Sequence, residues 1–140
     1  MIKVESFYPL IIEAFNSNKS FTFPVKGTSM RPLLKSGDTV TIIKVDNNIK
    51  KGDIVFYKRD DNTFVLHRIR KIKNNIYYIV GDHQTKLEEV KYDQFIGVVI
   101  NYKKTNKDNI YNMKGVKYNL YKFIVKFKFI RFIFSHIYKW

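Results

Sequence analysis

The 140-residue chain has no cysteine, only three prolines and six glycines, and twelve acids against twenty-six Lys and Arg. Without thiols, disulfides, thiolate catalysis and Cys-ligated metal sites are excluded, while either redox compartment stays open. The histidines are His67, His83 and His136, whose spacing suits no standard zinc motif, so no metal and no cofactor is expected. Long apolar runs are missing too. Leu10-Ile11-Ile12 is interrupted by Glu13, no segment approaches the ~20 apolar residues of a bilayer span, and no secretory signal is visible.

The scarcity of acids leaves a net charge of +14. The excess is concentrated: residues 101–140 carry ten Lys and Arg against one acid, Asp108, whereas residues 1–20 balance. Such a bias favours anionic partners, lipid headgroups or nucleic acid.

Four segments follow. Residues 1–20 hold a short amphipathic helix over 4–16, with Phe7, Leu10, Ile11, Ala14 and Phe15 on one stripe. Residues 21–100 read as short strands separated by turns: Phe21–Phe23, Thr39–Ile43, Ile54–Tyr57, Phe64–Ile69, Ile76–Val80 and Phe95–Ile100. Residues 101–112 read as a polar linker and 113–140 as a basic, aromatic tail. The fold class expected is mainly β: a small coiled β-sheet domain with a short N-terminal helix and a basic amphipathic C-terminal helix.

Gly27 and Pro32 bracket a turn that holds Ser29, and His67 follows 38 residues later inside the apolar strand Val65-Leu66-His67-Arg68-Ile69. A serine hydroxyl is a poor nucleophile until a neighbour takes its proton, and an imidazole does so near neutral pH. Separately, the serine is explained as a turn residue bonding its own backbone and the histidine as a satisfied core residue. Together they are the minimum for acyl transfer.

Pro24-Val25-Lys26-Gly27-Thr28-Ser29-Met30-Arg31-Pro32, then Gly37-Asp38, Gly52-Asp53, His67-Arg68 and Gly81-Asp82, resembles the signal peptidase I superfamily, which includes LexA-type self-cleaving repressors. Histidine rather than lysine before Arg68 matches the Ser-His branch (archaeal, endoplasmic-reticulum and sporulation-type). The resemblance implies a serine endopeptidase with Ser29 as nucleophile and His67 as general base. It makes Asp82 the first choice for the group orienting the imidazole, with Glu88 the second. The Ser29 N–H and the Thr28 hydroxyl are the oxyanion candidates. The implied substrate is an extended leader or signal peptide with small side chains before the scissile bond.

In the tail, Val116, Leu120, Phe123, Phe127, Ile130, Phe134 and Ile137 recur at steps of four and three, flanked by lysines. One helix with this stripe suits lying on an anionic membrane surface, packing on its own domain, or binding RNA or a protein partner. Peripheral membrane attachment is therefore expected, with a cytoplasmic location as the alternative; oligomeric state is open. A LexA-type regulator needs a DNA-binding domain before the peptidase and a lysine base, so no DNA is expected as partner. The rival of another class is a catalytically silent module that binds membrane or nucleic acid through the tail.

Overall fold

The computed structural model describes residues 6–137. Helix α1 (Tyr8–Asn16) starts later than the sequence suggests, because Pro9 is favoured in the first turn, where its missing N–H costs nothing. It buries Ile11 and Phe15 but leaves Leu10 exposed. Eight strands follow: β1 (Phe21–Pro24), β2 (Thr39–Lys44), β3 (Ile54–Lys58), β4 (Phe64–Lys73), β5 (Ile76–Val80), β6 (Glu88–Lys91), β7 (Phe95–Lys103) and β8 (Ile110–Asn112). Two helices, α2 (Val116–Val125) and α3 (Lys128–Ile137), complete the described chain.

All strands pair antiparallel in one sheet of order β1-β2-β7-β3-β4-β5-β6, with β8 added beside β7. Register shifts at Thr41/Ile42, Phe56/Tyr57 and Ile69/Lys71 each insert a local kink, and bulges of this kind increase strand twist and curl a sheet. The β4–β5 hairpin turns on Asn74 and Asn75, both at positive φ, as a two-residue hairpin turn of matching twist requires.

The period of two along β3 divides the interior between the faces. Ile54 and Phe56 join one cluster, with Ile11, Phe15, Phe23, Met30 and Leu34. Val55 and Tyr57 join the other, with Ile69, Ile79, Val90 and Phe95.

Two parts of the chain depart from expectation. Residues 101–112 contain the end of β7 and all of β8, so this segment continues the sheet instead of linking domains. The tail is two helices separated at Lys126 and Phe127. Its packing residues are also off the expected stripe. Tyr118, Val125 and Arg131 are buried, whereas Leu120, Phe123 and Phe127 face outward. The side chains of Val116, Phe134 and Ile137, also on that stripe, lie outside the described set.

Candidate active site

After β1 the chain enters the turn that carries Ser29. Gly27, at φ +92°, occupies backbone space that side-chain-bearing residues rarely adopt. The Arg31 N–H donates to the Thr28 carbonyl at 3.1 Å and the Leu34 N–H to the Met30 carbonyl at 2.9 Å, while buried Met30 and Leu34 pin the turn to the core. The loop after β5 closes over it: the His83 N–H donates to the Ser29 carbonyl at 2.9 Å. Among the described residues no backbone carbonyl takes the Ser29 N–H, and Thr28 is exposed beside it. The two oxyanion candidates are thus adjacent on one exposed turn.

Ser29 and His67 line the same cavity of about 480 Å³, one wall of which is the apolar set Phe23, Val25, Met30, Leu34, Phe56, Phe64 and Leu66. His67 stands on β4 opposite Val55 of β3, which puts its ring on the Tyr57 face of the sheet. There its Nδ1 is 3.4 Å from the Tyr57 hydroxyl and 3.6 Å from Glu88 Oε1. Tyr57 donates to the same Glu88 oxygen at 2.5 Å, and Arg59 holds the carboxylate at two points, Nε to Oε2 at 3.0 Å and Nη2 to Oε1 at 2.9 Å. Burial raises the Glu88 pKa, but hydrogen bonding with His67, Arg59 and Tyr57 outweighs it and holds the carboxyl well below the usual carboxylate range. Glu88 is therefore an anion beside the imidazole.

Asp82, the first expectation for that position, is committed elsewhere. Arg68 grips it at two points, Nε to Oδ1 at 2.8 Å and Nη2 to Oδ2 at 2.9 Å, and the Tyr121 hydroxyl donates to Oδ2 at 2.9 Å. Arg68 Nη1 completes its bonding with the Gly52 carbonyl and the Tyr118 hydroxyl. The cause is strand geometry. His67 and Arg68 are consecutive, so their side chains leave opposite faces of the sheet, and Asp82 goes with the arginine. Glu88 pairs with Ile79, which pairs with Ile69, so the register carries Glu88 onto the His67 face.

Tyr57 and Arg59 are residues that sequence reasoning missed. Tyr57 shares its face with Val55, and Val55 pairs with His67, so a β3–β4 register from the Asp60–Asn62 turn would have placed Tyr57 beside the imidazole. Arg59 carries no such signal.

The family model for S24-like peptidases matches residues 2–100. Comparison with curated proteins found no match. The match spans most of the chain and includes every residue of this cavity, and the curled β-sheet fold agrees with it. The chain belongs to the S24-like peptidase family, within the superfamily of signal peptidase I and the LexA-like serine peptidases.

Proposed function

We propose that this protein is a serine endopeptidase of signal-peptidase type, acting on leader or signal peptides through a Ser29 acyl-enzyme. The observation that carries the reading is the shared cavity of Ser29 and His67, with the anionic Glu88 3.6 Å from Nδ1 of the imidazole. Because the Tyr57 hydroxyl donates its hydrogen bond to Glu88, its oxygen and the carboxylate are both acceptors toward His67. That environment favours the tautomer protonated on Nδ1 and leaves Nε2 bare as the base.

Ser29 Oγ attacks the scissile carbonyl as Nε2 takes its proton. The Ser29 N–H and the Thr28 hydroxyl donate to the oxyanion. Nε2 returns the proton to the leaving amine, and water, deprotonated by the same nitrogen, then hydrolyses the ester and restores Ser29. Glu88 holds the ring and stabilises its cation. Among the described residues β1 is an outer strand of the sheet and leads into the Ser29 turn, which offers an extended peptide an edge to pair with. The apolar wall of the cavity supports an uncharged side chain beside the cut.

The test is acyl-enzyme trapping. Wild type, Ser29→Ala and His67→Ala are incubated with leader-like peptides bearing Ala-x-Ala before the cut, and products and adducts are read by mass spectrometry. Cleavage and a Ser29 adduct in wild type alone are expected. Absence of both across a broad peptide library, with and without lipid, would overturn the reading in favour of a silent binding module.

A further inference from the structure

We propose that the α2–α3 hairpin is a docking surface for anionic lipid bilayers, with one face bound to the peptidase sheet and the other offered to the membrane.

The inward face is fixed by polar contacts. Tyr118 accepts from Arg68 at 2.7 Å and Tyr121 donates to Asp82 at 2.9 Å, and Val125 is buried behind them. Arg131 of α3 donates from Nη1 to the Val125 and Lys126 carbonyls and from Nε to the Gln84 carbonyl, closing the hairpin and joining it to the loop beside the active-site cavity.

The outward face has the opposite character. Leu120 is 61% exposed, Phe123 54% and Phe127 47%, and Phe132 of α3 is 52% exposed. Leu120, Phe123 and Ile124 share one face of α2 at the spacing i, i+3, i+4, and the Phe127 ring in the break after the helix packs edge-on against Phe123 with centroids 5.7 Å apart, extending the stripe. An apolar stripe left in water on a folded domain marks an interaction site.

Charge selects the occupant. No acid follows Asp108 in the sequence, and Lys114, Lys126 and Lys128 are exposed around the stripe. The Lys126 ammonium lies over the Phe123 ring at 4.1 Å and the Phe127 ring at 5.3 Å, the arrangement in which rings enter a bilayer interface while the cation reaches the phosphates. A second copy docking face to face would bring lysines against lysines. A nucleic acid would stack on the phenylalanines but leave the aliphatic Leu120 and Ile124 without a match. No helix among the described residues is long and apolar enough to cross a membrane, so the contact is with the surface.

The test is flotation of the intact protein with vesicles of phosphatidylcholine alone or mixed with phosphatidylglycerol. Flotation with the mixed vesicles is expected, weakened by salt and much lower with phosphatidylcholine alone. Lys126→Gln and Lys128→Gln should each reduce binding about fivefold. The pair Phe123→Ser and Phe127→Ser should abolish it without loss of secondary structure by circular dichroism, and Leu120→Asn alone should weaken it. Ser29→Ala should float like wild type, which separates this result from failure of the peptidase reading. No flotation with mixed vesicles, or flotation unaffected by the phenylalanine and leucine changes, overturns the proposal. So does loss, in those variants, of an oligomer or of oligonucleotide binding instead of vesicle binding.

Discussion

Gly81 lies so close to the Ser29 carbonyl oxygen that a methyl group at position 81 would overlap it. The same methyl would stand 2.9 Å from Gln84 Oε1. The glycine therefore has a packing role: it lets the loop after β5 reach the turn of Ser29 and supply the His83 N–H to it.

Gly81→Ala should displace the Ser29 turn. We expect a stability loss of about 1–3 kcal/mol from overpacking and, since misplacement by an ångström already costs about 100-fold in rate, a larger proportional loss in kcat/KM. Thermal melts and peptide cleavage of the same preparation check both. Equal kcat/KM in the two proteins would show that the loop does not set the position of Ser29.

Glu88→Gln keeps the shape of the side chain but removes the anion beside His67. A drop in kcat of roughly 100- to 10,000-fold is expected, the range for losing the partner of a general base. Tyr57→Phe should cost less, because the carboxylate remains beside the imidazole. Steady-state kinetics of both variants is the measurement. An unchanged kcat in Glu88→Gln would remove it from the site.

Stability should carry the acid titration of Glu88. Its folded pKa lies below the ordinary 4.5, so the folded form prefers the carboxylate, and this contribution is fully present above 4.5 and is lost as pH falls through the lower folded value. The difference in Tm between wild type and Glu88→Gln should therefore be flat near neutrality and narrow under acid. A gap that stays constant down the acid limb would show that the carboxyl is not held low.

The pair of Arg68 and Asp82 is buried on both sides. Removing one partner, as in Asp82→Asn or Arg68→Met, leaves the other charge uncompensated and should cost about 3–5 kcal/mol in urea unfolding. Tyr121→Phe removes the hydroxyl that bonds that carboxylate and the Leu33 backbone and should cost about 1–2 kcal/mol. If Tyr121→Phe proves as damaging as Asp82→Asn, the tyrosine is anchoring more than the ion pair.

Much of this was legible in the chain before folding. The strands betrayed themselves by apolar runs between turn residues, and the boxes singled out Ser29 and His67, which the fold brings to one cavity. What failed required knowledge of faces. A box of sequence does not say that His67 and Arg68 point apart, so Asp82 looked nearer to the imidazole than it is. Glu88 lies on β6, a four-residue strand with a single buried valine that no alternation announces. The inner face of the tail was hidden for a different reason. Spacing located an apolar stripe in the helix, but the anchoring was done by tyrosines and an arginine whose partners, Arg68, Asp82 and the Gln84 carbonyl, are distant in sequence.

The dependence of Arg68 and Asp82 on Tyr118 and Tyr121 also sets an order of assembly. A ribosome delivers β4 and the loop of Asp82 before it delivers α2. Until those tyrosines emerge, the guanidinium and carboxylate beneath them stay open to water, and the loop that carries Gly81 and His83 lacks its outer support. The nascent sheet is thus an unfinished fold, and the burial of its central ion pair arrives with the helix made after it.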